Sequence, residues 1–211
     1  MKKWPVGGYF IGGELSIGLV NELLADINAQ FARDFDSALF EQYSKLTFFP
    51  KLAASGRMKN HGTALGKLYG LGQYECKSAQ IALRFPGQTD MVAHIDDIPC
   101  PDNGVIAGAT PLCAAILGVY LSDVPARHYG ALEVYPRSHL VVEMFGLQHG
   151  HKVLQQGVLP SLPSRPDIIT GPKGTSFLLH PQIVHRVPRN DTPHIRYALY
   201  FRFYHPAKKV V

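Results

Sequence analysis

The chain has 211 residues, 46% apolar and 18% charged, an ordinary composition for one globular domain with a full core. Its formal charge is +5, but the basic residues cluster only at Lys2-Lys3 and Lys208-Lys209, and no motif points to nucleic acid. No apolar run approaches ~20 residues, so no membrane-spanning helix is expected.

Behind Lys2-Lys3, the residues Gly7, Gly8, Gly12, Gly13 and Glu14 interrupt any apolar stretch, so no signal peptide is expected. Cys76, Cys100 and Cys113 are odd in number and lack C-x-x-C spacing. They read as small buried or half-buried side chains in a reducing cytoplasm.

Residues 14–34 predict a helix. Ile17, Val20, Leu23, Leu24, Ile27 and Phe31 recur at three- and four-residue spacing, and Ser16 is placed to cap the start. Residues 35–78 are mixed, with Phe35, Leu39, Phe40, Tyr43, Phe48 and Phe49 leading into Gly56, Gly62, Gly66, Gly70 and Gly72. These glycines lack phosphate-loop spacing and read as turns.

From residue 79 the pattern predicts short strands. Ile81, Leu83 and Phe85 alternate with Gln80, Ala82 and Arg84. Pro86-Gly87-Gln88 is a turn, 91–95 a second strand, and Pro99 to Gly104 a loop. Cys113 to Leu121, Gly130 to Tyr135, Thr175 to Leu179, Ile183 to Val187 and Arg196 to Tyr204 complete the set, and 140–172 reads as a long crossover or lid. The expectation is a single, mainly β domain with a double-stranded β-helix core of the jelly-roll or cupin-like kind. Residues 79–204 form that core, and 1–78 a helical and irregular support packed outside.

Three residues carry the chemistry. His94 and Asp96 are two apart, so on a strand both point to one side. His185 lies in another β-like segment. Two histidines and one carboxylate on a single face of iron(II) leave the other coordination positions open. On the last strand Arg196, Ala198, Tyr200 and Arg202 share one face, against Tyr197, Leu199, Phe201 and Phe203 on the other. An arginine facing a barrel interior is costly unless paired, and a carboxylate is its best partner. Arg196 therefore suits a dicarboxylate co-substrate such as 2-oxoglutarate. His180 is five residues from His185, so on a strand it faces the opposite way and takes a structural role.

A family resemblance sharpens this. Gly118-Val119-Tyr120-Leu121-Ser122-Asp123-Val124-Pro125, then Gly130-Ala131-Leu132-Glu133-Val134-Tyr135-Pro136-Arg137-Ser138-His139, resembles the signature of the phytanoyl-CoA dioxygenase family. Gly174 to Pro181, followed by His185, resembles that family's last metal-histidine strand.

The resemblance spans roughly residues 79–204. It implies iron(II) on His94, Asp96 and His185, with the distal carboxylate of 2-oxoglutarate on Arg196. With dioxygen, the implied reaction converts 2-oxoglutarate to succinate and carbon dioxide and hydroxylates a small-molecule substrate. The Asp96 carboxylate favours hydroxylation over halogenation, since related halogenases carry a small residue there.

The chain departs from the family's pattern in two places. Arg137 stands where the family usually has glycine. Arg186-Val187 replaces a Gly-Ser, so the hydroxyl that commonly assists the arginine is missing. Tyr200 is one candidate to complete the co-substrate pocket, and Gln80 resembles a glutamine that contacts 2-oxoglutarate in some members. Arg84, Asp97 and Arg202 are candidate substrate contacts, suited to a small anionic metabolite. Each has an alternative: a surface charge, a loop cap and a salt-bridged barrel residue. The competing functions are a non-catalytic small-molecule-binding barrel and a cupin-like metalloenzyme without 2-oxoglutarate. The latter has no need of Arg196. The sequence names neither substrate nor oligomeric state.

Overall fold

The computed structural model describes residues 4–34, 56–96, 98, 113–154, 156–162 and 165–206. The aromatic run 35–49, the loop from Pro99, Cys100 and Asp97 lie outside these residues. Among the described elements are strands β1 (Tyr9–Glu14), β2 (Glu75–Arg84), β3 (Ala115–Tyr120), β4 (Leu132–Val134), β5 (Asp167–Ile169), β6 (Thr175–Leu179), β7 (His185–Arg186) and β8 (Arg196–Tyr204). The described helices are α1 (Ile17–Asp34), α2 (Gly56–Leu68), α3 (Ser138–His149) and α4 (His151–Leu154).

Two antiparallel sheets organise the molecule. One has the order β1-β6-β3-β8-β2 and the other β5-β4-β7. Alternation along each strand divides its side chains between two cores. On β3, Ala115, Leu117 and Val119 pack outward with Leu199, Phe201 and Phe203 of β8 against Val20, Leu23 and Ile27 of α1 and Met58 and Leu65 of α2. Ile116 and Tyr120 face inward, where Ala198, Phe177 and Leu179 meet Leu132, Val134 and Ile169 of the second sheet. This is the predicted double-stranded β-helix, with the aromatic face of β8 outside and the arginine face inside.

Several expectations need correction. The first helix starts after Ser16, whose Oγ accepts from Leu19 N at 3.3 Å, and Ile17 is exposed rather than part of the buried stripe. Residues 9–14 form a strand on β6 despite their glycines. The main sheet thus takes in β1 and the first residues of β2, both before residue 79.

Gly62 and Gly66 are not turns but buried positions of α2. A Cβ at Gly62 would lie 2.5 Å from both Cys76 Sγ and Phe201 Cδ1, so the helix sits close to the sheet only without side chains there. Residues 140–149 and 151–154 are helical, not an irregular lid. Residues 91–95 make one bridge, His94 to His185, instead of a strand.

Candidate metal and anion site

His94 and His185 are a hydrogen-bonded antiparallel pair. Each backbone N–H donates to the other's carbonyl at 2.9 Å. Paired residues put their side chains on the same side, and the imidazole centroids are 4.6 Å apart. Asp96, two positions on, joins them.

The ligand atoms of His94, Asp96 and His185 lie within 4.8 Å of one another. Small side-chain rotations close such a set on an ion with bonds of about 2 Å. His94 Nδ1 is 2.8 Å from the Val92 carbonyl and His185 Nδ1 is 3.1 Å from the Ile183 carbonyl. A carbonyl only accepts, so Nδ1 donates in both rings and each Nε2 keeps its lone pair for a metal. The site therefore fits a divalent metal by donor type, tautomer and spacing.

Asp96 is held as a carboxylate. Burial pushes its pKa up, but the Arg202 guanidinium, helped by His185 and His94 wherever those rings are protonated, outweighs burial and holds it well below the usual carboxylate range. Arg202 Nη2 donates to Asp96 Oδ2 at 2.7 Å, and His185 Nε2 stands 3.5 Å from Oδ1. Arg202 therefore sits on the carboxylate of the candidate metal set.

Arg196 is 4% exposed, and its Nε and Nη1 have no hydrogen-bond partner among the described residues. The Tyr200 hydroxyl, on the same face, is also buried, has no well-aligned hydrogen bond among the described residues and stands beside the Arg196 guanidinium. Burial raises the Tyr200 pKa, and the nearby Arg196 guanidinium opposes that rise. Gln80 is opposite Tyr200 in the β2–β8 ladder, so both belong to the inward face.

Arg84 is opposite Arg196 in that ladder and 1% exposed, but its guanidinium donates to the carbonyls of Pro188, Thr89 and Val187. That is an architectural role: it fixes the segment following His185. Arg186 alternates away from His185 and donates to Glu133 at 2.6 Å. Glu133, 2% exposed, also accepts from Arg127 at 2.5 Å. The residue that replaces the expected Gly-Ser thus joins an ion-pair network on the other side of β7.

Sequence reasoning missed the supports of the site. Ser138 Oγ accepts from Val184 N at 2.8 Å, and Tyr135 N donates to Val184 O at 2.9 Å. The Pro-x-Ser-His stretch therefore anchors the residue preceding His185. Arg137 has φ 66 and ψ 0, the left-handed region that favours glycine, which accounts for glycine at this place in the resembled pattern. His180 and His139 form a tilted ring pair with centroids 4.7 Å apart, and neither belongs to the His94–Asp96–His185 group.

No protein-family model matches the chain, and no curated protein matches it. Solved structures do. The non-heme α-ketoglutarate-dependent carbocyclase SnoK of nogalamycin biosynthesis is similar with TM-score 0.68 and 17% identity, over 97% of this chain and 84% of SnoK. EctD from S. alaskensis in its apo form gives 0.62 and 16%, over 94% and 73%. HygX from Streptomyces hygroscopicus, with nickel and 2-oxoglutarate bound, gives 0.59 and 14%, over 94% and 82%. At such identities the likeness establishes architecture alone: the chain has the double-stranded β-helix fold of these proteins.

Proposed function

We propose that this protein is an iron(II)- and 2-oxoglutarate-dependent oxygenase that hydroxylates a small molecule. The observation that carries the reading is Arg196. A buried guanidinium with two nitrogens unsatisfied among the described residues is costly by itself and is compensated by a bidentate anion. It lies on the inward face of the strand whose Arg202 touches Asp96. A metal set and an unsatisfied anion site on one barrel face match the needs of a chelating dicarboxylate. SnoK is α-ketoglutarate dependent and HygX binds 2-oxoglutarate with a metal, which agrees with this reading.

In the proposed site, His94 and His185 present Nε2 and Asp96 presents Oδ1 to iron. Arg196 binds the distal carboxylate of 2-oxoglutarate, with the Tyr200 hydroxyl beside it in the place of the missing serine. Gln80 contributes from the neighbouring strand. When bound, iron and 2-oxoglutarate supply the oxidising power, using dioxygen and yielding succinate and carbon dioxide. The chain's own work is to orient the dicarboxylate, hold Asp96 ionised and keep the arginine end dry.

The substrate is a small molecule entering on the open side of the metal set. The motif resemblance to the phytanoyl-CoA dioxygenase family belongs to this proposal. The test is succinate release from 2-oxoglutarate with iron(II), under air and under nitrogen. Succinate formed only under air, and lost in His94→Ala, is expected. Succinate formation that is independent of iron would overturn the assignment.

A further inference from the structure

We propose that Arg202 is a positioning residue that limits Asp96 to one metal-facing oxygen. The inference rests on the oxygenase reading above. The two oxygens of Asp96 have different neighbours: Oδ2 accepts from Arg202 Nη2 at 2.7 Å, while Oδ1 faces His185 Nε2 at 3.5 Å. Both side chains are largely buried, at 14% and 13% exposure, so the pair is poorly screened. An ion held between the two Nε2 atoms therefore meets Oδ1, and Oδ2 is already committed.

The consequence is a matter of coordination positions. Two histidines and one carboxylate oxygen occupy three of the six octahedral positions, leaving two for a chelating 2-oxoglutarate and one for dioxygen. A carboxylate that also used its second oxygen would fill a fourth position. The chelate would then take the last two, and dioxygen none. Arg202 preserves the open position by engaging that second oxygen.

The backbone around Asp96 gives the carboxylate little guidance. Residues 91–95 are held by the His94–His185 bridge and the Met91 N to Val187 O bond, and Asp96 itself lies in a turn. Arg202, by contrast, is on β8, which is hydrogen-bonded on both sides, to β3 and to β2. A ligand on an irregular segment is thus oriented from a rigid strand. The same strand carries Arg196 six residues earlier on the same face, about 20 Å away along the chain. In this arrangement β8 fixes one end of the co-substrate and the aspartate at the other. The assignment also moves Arg202 from substrate contact to support of a metal ligand.

The experiment uses cobalt(II) as a redox-stable probe of the full chain. Crystal structures of cobalt-loaded wild type and Arg202→Met are compared, and 2-oxoglutarate affinity is measured by anaerobic calorimetry on both. Wild type should bind cobalt through one Asp96 oxygen and the variant through two. Cobalt and 2-oxoglutarate should both still bind the variant, because a two-oxygen Asp96 leaves two positions for the chelate, and Arg202→Lys should restore one-oxygen ligation. Two Asp96 oxygens on cobalt in wild type would overturn the proposal, so it is tested even where Arg202→Met does not fold. One oxygen in both proteins would also overturn it. Wild type that binds cobalt but no 2-oxoglutarate would instead sink the oxygenase reading, and this outcome is distinguishable from the others.

Discussion

Replacing Arg196 with methionine should make the ligand-free protein more stable and the co-substrate bind worse. The side chain is 4% exposed, and two of its nitrogens lack well-aligned partners among the described residues. An unsatisfied buried polar group costs about 1–3 kcal/mol. Methionine fills similar space without that cost, so the apo variant should gain about 2 kcal/mol or more. In the complex, the lost bidentate contact is worth about 3 kcal/mol or more. That is at least a hundredfold in 2-oxoglutarate affinity.

Urea denaturation reports both effects, with Trp4, the single tryptophan, as an intrinsic probe. At a 2-oxoglutarate concentration a hundred times the wild-type Kd, wild type gains about 2.7 kcal/mol. The variant should gain about 0.4 kcal/mol at most. A variant that is several kcal/mol less stable as apo protein, yet equally stabilised by 2-oxoglutarate, would show that Arg196 is a structural residue and refute the reasoning.

Three further outcomes are expected. Ser138→Ala removes the acceptor for Val184 N and should cost about 1–3 kcal/mol. It should also weaken metal binding through the loosened His185 segment, as read by metal titration and thermal melts. Arg137→Gly relieves a left-handed backbone worth about 1–2 kcal/mol, less the roughly 0.5–1 kcal/mol of added chain entropy. It should therefore melt at or above the wild-type temperature, whereas Arg137→Val should melt lower. Burial first, then the charge of His139, pushes the His180 pKa down to about 4 from 6.5. A depressed imidazole pKa means that the unfolded chain takes up protons first, so stability is fully present above pH 6.5 and declines toward pH 4. The loss is at most about 3 kcal/mol, reduced by the ring's residual solvent contact. His180→Asn, which keeps an acceptor for Gln182 N, should flatten that acid limb in denaturation measured across pH.

The grouping of His94 with Asp96 follows a local spacing that the sequence displays, whereas His185 joins them through the long-range His94–His185 bridge. His94 and Asp96 are two apart, a spacing that suggests one side, although Asp96 in fact reaches the pair from a turn. Arg196 was legible by alternation along β8, where Leu199, Phe201 and Phe203 claim the helix-packed face. What the sequence hid depends on distant partners. Gly62 and Gly66 weaken a helix by propensity, but Phe201 and Phe203 approach so closely that only glycine fits. Residues 138–149 lack a clean apolar stripe: Val142 is buried, while Leu140, Met144 and Leu147 are exposed. Arg84, Arg186 and Arg202 share a residue type and a neighbourhood, but only the folded chain shows that they hold carbonyls, Glu133 and Asp96.

The central claim is that His94, Asp96, His185 and Arg196 form one site for iron(II) and 2-oxoglutarate. An anaerobic titration of the metal-free protein with both, followed by visible absorption, tests it most directly. The account predicts a metal-to-ligand charge-transfer band that appears only with both components. It should be lost in His185→Ala and should need at least a hundredfold more 2-oxoglutarate in Arg196→Met. Iron bound without such a band would contradict the account and favour a cupin-like metal protein, and no iron binding at all would remove its foundation.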